Sequence, residues 1–149
     1  MNFKCVIIGG IVFMVVTFVA SMATGPLIHE GVLDPHYIAT ESFWQPALAQ
    51  DPPDMAAMMP TWLLNSFVVS LIIAWLYCRF RGCLHGPGWK RGANFGFSIG
   101  LLVASVYLAM SGVFHLPYQI WLWWALDGLI LYIIGGAAMG WATGKWASD

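Results

Sequence analysis

The sequence contains very little charge. Of its 149 residues only 9% are charged, whereas 60% are hydrophobic, and the mean hydropathy is +0.74. A soluble domain carries about 25% charged residues, so this composition excludes an ordinary water-facing surface. The six Lys and Arg residues form no basic stripe, which argues against nucleic-acid binding. The length fits a single compact domain, residues 1–149.

Recognisable catalytic motifs are also absent. The sequence has no phosphate-binding glycine loop, nucleophile elbow or paired-carboxylate signature. His29 and Glu30 are adjacent, but the second histidine of a zinc-protease helix is missing. We therefore predict that the protein is not an enzyme.

Four long apolar stretches are present, at about residues 5–24, 60–79, 93–113 and 118–142. Crossing the hydrocarbon core takes roughly 20 residues as a helix, and an open strand could not satisfy its backbone there. The stretches predict an all-α membrane protein with four transmembrane helices. The connections between the second and third stretches and between the third and fourth stretches are short. We therefore expect an antiparallel up-down bundle. The first stretch also resembles a secretory signal peptide; we expect it to remain as the first span.

Charge placement predicts the orientation. The loop at 26–59 carries five acidic residues and no Lys or Arg. All basic residues flank the opposite ends of the spans: Lys4, Arg79, Arg81, Lys90, Arg91 and Lys145. By the positive-inside rule both termini are cytoplasmic and loop 26–59 is periplasmic, in a bacterial inner membrane. Because thiols stay reduced in the cytoplasm, we expect Cys5, Cys78 and Cys83 to be free.

The two longer connections have their own local signals. Asp34 and Pro35 predict the N-cap and first position of a short interfacial helix over 36–45. Asp54 is a candidate cap for an extension of the second helix, which would place Pro60 inside that helix. The basic, glycine-rich loop 81–92 fits either a tight turn that carries topology charges or a contact with anionic lipid headgroups.

Asp127 is the one charged residue inside an apolar stretch. A carboxylate among lipid tails costs several kcal/mol, so it normally faces protein or water. At 1.5 Å of rise per residue it lies roughly 13 Å below the outer turn. Two interpretations stay open: a structural hydrogen bond that fixes the helices, or a carboxyl that binds a proton or ligand. The predicted polar cluster is Asp127 with Asn65, Ser66, Ser105 and Tyr107, and its outer mouth is His29, Glu30 and His115.

The outer side also holds a weak pattern for metal binding. Imidazole and thioether groups would suit Cu(I), but the candidates have no tight ligand spacing, so no metal or other cofactor is predicted. These candidates are His29, His36, His115, Met55 and Met58. No histidine lies at membrane depth for haem ligation.

Glycines spaced four apart predict close helix contacts. The third stretch contains one such pair, Gly96 and Gly100. The second half of the fourth stretch begins a longer ridge of Gly136, Gly140 and Gly144. These glycines pack either within the monomer or at a subunit interface. Tryptophans group near both ends of the spans, as is typical of the aromatic belt of a bilayer protein.

Several short segments together resemble a family of uncharacterised four-helix bacterial inner-membrane proteins. The resemblance lies in residues 29–33, 37–46, 55–60 and 92–96 and in the glycine-rich fourth stretch. It implies a four-span fold and a bacterial origin, but no activity or functional residue.

Three functions are compatible with this sequence. The first is an accessory or scaffold subunit of a larger membrane complex, with other membrane subunits or a second copy as partner. The second is a small proton-linked transporter or channel that uses Asp127. The third is periplasm-facing handling of a metal or cofactor through the outer histidines and methionines.

Overall fold

The computed structural model describes residues 2–50 and 52–147, and all regular structure in these residues is helical. Four helices in this part of the chain are long and apolar enough to cross a membrane. In chain order the helices are α1 (Phe3–Gly25), which continues into a π-helical segment (Pro26–Val32), α2 (Asp34–Ile38), α3 (Met55–Phe80), α4 (Gly88–Met110) and α5 (Tyr118–Trp146). Single 3-10 turns lie at Glu41–Phe43 and Arg81–Cys83.

We name the two ends of the molecule by their charge. The basic end holds the start of α1, the connection from α3 to α4 and the end of α5, with Lys4, Arg79, Arg81, Lys90, Arg91 and Lys145. The acidic end holds the π-helical segment, α2 and the start of α3, with Glu30, Asp34, Glu41 and Asp54.

Two predicted features of α3 are confirmed. The Asp54 carboxylate accepts a hydrogen bond of 3.1 Å from the backbone N–H of Ala57 and caps the helix. The helix therefore begins at Met55 rather than at Pro60, and Pro60 lies inside it.

The predicted interfacial helix over 36–45 is shorter and begins earlier. Leu33, not Asp34, is the N-cap, because its carbonyl already accepts from the N–H groups of His36 and Tyr37 at 2.9 and 3.0 Å. The helix ends at Ile38. The Thr40 hydroxyl donates to the carbonyl of His36 at 2.8 Å, and a 3-10 turn follows. The connection is thus folded onto the end of the first helix.

α4 and α5 run in opposite directions in backbone contact, through glycines. A Cβ atom on Gly92 would lie 2.0 Å from the carbonyl oxygen of Gly136, and one on Gly96 would lie 2.1 Å from that of Tyr132. The predicted glycines Gly96, Gly100, Gly136 and Gly140 lie at this contact within one chain, together with Gly88 and Gly92. At Gly144 the two helices are further apart, since a Cβ atom built there would meet only the Cα of Gly88, at 3.8 Å.

α1 contacts α5 on one side and α3 on the other. Next to α5, Cβ atoms on Gly9 and Gly135 would lie 3.3 and 2.9 Å from side-chain atoms of Met139 and Phe13. Next to α3, Gly10 lies against Leu71. These contacts bury a core at the basic end, with Phe13, Ile73, Ala74, Tyr77, Phe95 and Met139.

The expectation of three free thiols is wrong for two of them. Cys5 and Cys78 form a disulfide that joins α1 to α3, with their Cα atoms 6.3 Å apart. The expectation followed from the compartment and took no account of helix proximity, which Gly9 and Gly10 create one to two turns further along α1. Cys83 is free and exposed.

α3 leaves the other helices toward the acidic end. Ser70, Ile73, Ala74 and Tyr77 of its second half are buried. Every residue from 61 to 69 is exposed. Because this stretch makes more than two helical turns, no face of it is buried, although Trp62 and Leu63 are only 36% and 37% exposed. We call residues 61–69 the exposed segment of α3.

Candidate functional site

Asp127 lies on α5 and is only 8% exposed. Its Oδ2 atom is 3.6 Å from Nε2 of His29. His29 reaches it because α1 does not stop at Gly25: Pro26 is accepted in the first turn of the π-helical segment, where its missing N–H is tolerated. The extended first helix therefore carries an imidazole to a carboxyl that would otherwise be buried alone.

A hydrogen-bonded chain continues from His29 to a tryptophan on α5. The Nδ1 atom of His29 is 2.8 Å from the Tyr37 hydroxyl, and the Trp124 indole N–H donates to the same hydroxyl at 2.7 Å. With His29 neutral, one order of donors and acceptors is consistent with these distances, and it leaves Oδ1 of Asp127 unpaired. Trp124 donates to Tyr37, Tyr37 donates to Nδ1 of His29, and Nε2–H of His29 points to Asp127.

Aromatic rings surround this chain at the acidic end. The rings of His29 and Tyr37 are stacked, with centroids 6.2 Å apart and planes 7° from parallel. Trp44 packs edge-on against Tyr37 at 5.2 Å and donates its indole N–H to the Tyr37 carbonyl at 3.2 Å. Trp121 and Trp124 are in contact at 5.6 Å. The rings bury part of the polar chain and pack α2 against α5, while 38% of the His29 side chain stays exposed.

Three buried polar atoms near the acidic end have no hydrogen-bond partner in the described chain: Thr24 Oγ1, Trp121 Nε1 and Asp127 Oδ1. The Thr24 side chain lies beside the Asp127 carboxyl, but its hydroxyl is outside hydrogen-bonding geometry. An unpaired acceptor at this burial costs about 1–3 kcal/mol. A hydrogen bond from the Thr24 hydroxyl after a small rotation would remove that cost.

The Tyr37 hydroxyl is held in its protonated form. Burial raises the pKa of Tyr37 above its ordinary value, and the neighbouring Asp127 charge raises it further, although the bond from Trp124 acts in the opposite direction. A neutral hydroxyl can donate and accept at once. Tyr37 can therefore link Trp124 and His29 throughout the physiological pH range.

The structure brings only part of the predicted cluster together. His29, assigned to the mouth, is the direct neighbour of Asp127, and Tyr107 lies close enough to feel its charge. Asn65 and Ser66 lie on the exposed segment of α3, away from Asp127, because α3 diverges from the other helices. Ser105 is exposed, and its hydroxyl donates to the Leu102 carbonyl of its own helix.

The remaining mouth and metal candidates are dispersed. Glu30 and His115 are both exposed. Among the described residues, no three His, Cys, Asp or Glu side chains converge as they would around a metal ion. His29, His36 and His115 therefore do not converge in one ligand set, and the candidates Met55 and Met58 lie in the first turn of α3.

Sequence reasoning missed Tyr37, Trp124 and Thr24 as members of the site. One signal was available for Trp124, which precedes Asp127 by three positions and so shares its helix face. Tyr37 could be found only by extending the first helix past Pro26. Thr24 lay within the predicted first span, but no sequence signal placed that span against Asp127. The predicted end of that span at residue 24 placed His29 in the loop instead.

In comparisons with protein-family models, curated proteins and solved structures, the chain matches none of them.

Proposed function

We propose that the protein is an accessory subunit of a larger membrane complex, and that it docks through the exposed segment of α3. The observation that supports this is the nine-residue stretch, 61–69, in which no residue on any side of the helix is buried. A helix at the edge of a bundle exposes one face to lipid. This segment exposes all of them, and its middle carries the amide of Asn65.

The polar side chains of the segment distinguish it from a lipid-facing surface. Exposed serines on α4 satisfy themselves: Ser98 and Ser105 donate to carbonyls of their own helix at 3.0 and 2.7 Å. Asn65 has no hydrogen bond within the described chain, and its amide needs both donors and acceptors. Polar side chains of this kind hydrogen-bond between membrane helices. A helix of another membrane protein with an amide or hydroxyl group would satisfy Asn65.

We further propose an antiparallel up-down arrangement of α1, α3, α4 and α5 in a bacterial inner membrane, with the basic end in the cytoplasm. All six Lys and Arg residues lie at that end, which supports the orientation by the positive-inside rule. The Cys5–Cys78 disulfide also lies there, although cytoplasmic thiols are normally reduced. Cys5 is fully buried, which shields the bond from soluble reductants.

Purification in a mild detergent tests the docking proposal. We expect a distinct membrane protein to co-purify with the unaltered chain and to be lost from Asn65→Leu. Asn94→Leu is the matched control, because Asn94 is exposed on α4 and the substitution is chemically the same. Three results would contradict the proposal: a chain that purifies alone, a complex that contains only a second copy, or equal recovery of the partner with the unaltered chain and both variants.

A proton-linked transporter or channel is the second candidate, and the His29–Asp127 pair favours it. A buried carboxyl can exchange a proton with a neighbouring imidazole, and the two groups of this pair lie 3.6 Å apart. Flux measured in vesicles with an imposed pH gradient tests this. We expect Asp127→Asn to abolish the flux while leaving the helical content unchanged; flux that is absent from both proteins, or equal in both, would exclude this function.

A further inference from the structure

An open pocket of about 370 Å³ lies at the basic end, between the start of α4 and the end of α5. Gly88 and Gly144 line it, from α4 and α5 respectively. The pocket exists because the close glycine contact between the helices ends at Gly140, whose carbonyl oxygen touches Gly88. At Gly144 the backbones have separated, and a Cβ there would make only an ordinary van der Waals contact with the Cα of Gly88, at 3.8 Å.

Two cationic side chains line the pocket, Arg91 from α4 and Lys145 from α5. The Nε atom of Arg91 is buried and has no hydrogen-bond partner in the described chain. The Lys145 ammonium lies 5.3 Å from the centre of the Trp141 ring, a cation–π distance that holds it at the pocket. The acidic residues that the structure describes lie at the acidic end or at Asp127, so none neutralises this pair.

The start of α4 adds backbone donors to the same pocket. Pro87 is the N-cap and supplies no side-chain hydrogen bond. The first intrahelical bond of this turn is from Arg91 N–H to the Pro87 carbonyl, so the N–H groups of Gly88, Trp89 and Lys90 have no acceptor within the helix. Free N–H groups and the helix dipole together favour an anion.

We infer that this pocket binds the phosphate group of an anionic phospholipid. Unpaired cations and free N–H groups are the donors that phosphate oxygens accept from. Trp89 and Trp141, which also line the pocket, are exposed aromatic side chains at the end of two candidate membrane spans. Tryptophans at such positions lie at headgroup level, and basic pockets between helices at that level hold anionic headgroups.

The experiment titrates delipidated protein in a neutral detergent and follows its thermal unfolding. The probes are phosphatidylglycerol, phosphatidylcholine with the same acyl chains, and inorganic phosphate. We expect a saturable rise in Tm with phosphatidylglycerol alone. Arg91→Gln and Lys145→Gln should each weaken the apparent affinity about fivefold, as expected for one cation at a membrane surface.

Two further variants separate the pocket from general charge and from loss of folding. Gly144→Leu keeps every charge but fills the space, and we expect it to abolish the Tm rise. Arg79→Gln removes an exposed cation of the basic end that does not line the pocket, and we expect it to behave as the unaltered protein does. Because Lys145 is exposed, Lys145→Gln remains informative even if Arg91→Gln fails to fold.

Three results would overturn the inference. An equal rise in Tm with both lipids would show a general lipid effect. If Arg79→Gln weakened the apparent affinity as much as Arg91→Gln or Lys145→Gln does, the lipid would bind to surface charge rather than to the pocket. A full, saturable rise with inorganic phosphate alone would show a soluble phosphate site and remove the lipid as the ligand.

Discussion

His29 and Asp127 face each other at 3.6 Å between Nε2 and Oδ2, and so join the π-helical end of the first helix to α5. The side chain of Asp127 is 11% exposed and that of His29 is 38% exposed. The carboxyl is thus placed against protein rather than lipid, and its neighbour is an imidazole from the segment that closes the acidic end.

A double-mutant cycle measures this pair. We expect Asp127→Asn and His29→Gln to show a coupling of about 0.5–1 kcal/mol in the free energy of unfolding, because solvent reaches His29 and screens the interaction. The measurement is chemical unfolding in detergent. His115→Gln combined with Asp127→Asn is the control and should be additive, since His115 is exposed and makes no hydrogen bond or ion pair with Asp127. Additivity for both cycles would contradict the pairing.

Tyr37→Phe removes the hydroxyl that joins Trp124 to His29. We expect a loss of about 1–2 kcal/mol in the free energy of unfolding, because two hydrogen-bonding groups lose a partner. The control is Tyr118→Phe, which alters an exposed ring and should change the stability little. Equal effects of the two substitutions would show that the Tyr37 hydroxyl carries no structural role.

The raised pKa of Tyr37 gives this residue a defined pH dependence. Its hydroxyl binds a proton more tightly in the folded than in the unfolded protein, whose value is near 10.0. The resulting stabilisation is fully present below that pH and is lost as the pH rises through the folded-state pKa. The measurement is Tm as a function of pH. We expect the fall in Tm at alkaline pH to be smaller in Tyr37→Phe than in the unaltered protein, because the variant has no hydroxyl to lose its proton. An unchanged alkaline profile would contradict this assignment.

The contact of α4 with α5 predicts opposite outcomes for two glycines. Gly92→Ala would place a Cβ 2.0 Å from a backbone oxygen of Gly136, which cannot move aside. We expect the helices to separate, with a loss of at least about 1–3 kcal/mol in the free energy of unfolding, as in other overpacked contacts. Gly128→Ala meets only a ring carbon of Tyr107 at 3.7 Å and should be neutral or stabilise by up to about 1 kcal/mol. Thermal unfolding of both variants decides between them.

The disulfide predicts the thiol count of the native protein. Denatured, unreduced protein should take up one maleimide, at Cys83, whereas denatured and reduced protein should take up three, counted by mass. Cys5→Ser should leave Cys78 reactive and lower Tm, because the link between α1 and α3 is gone. Three adducts without reductant would show that the bond does not form in the cell.

The sequence predicted the four long helices because each is a run of apolar residues of membrane-spanning length. It also predicted the cap at Asp54, since a side-chain oxygen before a helix is a local signal. The first helix continues past the predicted end of its span at about residue 24, because the proline at residue 26 is compatible with the first turn of the π-helical segment.

The candidate site was only partly predictable. A buried acid at Asp127 was visible as a charge in an apolar run, but its partner depends on which helices are neighbours. The first half of α3 lies apart from the other helices, which removes Asn65 and Ser66 from the site. No local pattern in α3 predicts this separation. The Cys5–Cys78 bond is likewise a long-range contact.

Site-specific photocrosslinking in native membranes tests the docking of α3 most directly. A photoreactive residue replaces Leu64 on the exposed segment or, as the control, Leu102 on α4; these side chains are 63% and 61% exposed. We predict that the probe at 64 forms a covalent adduct with a different membrane protein and that the probe at 102 reacts with lipid alone. Lipid adducts at both positions would contradict an accessory subunit that docks through α3.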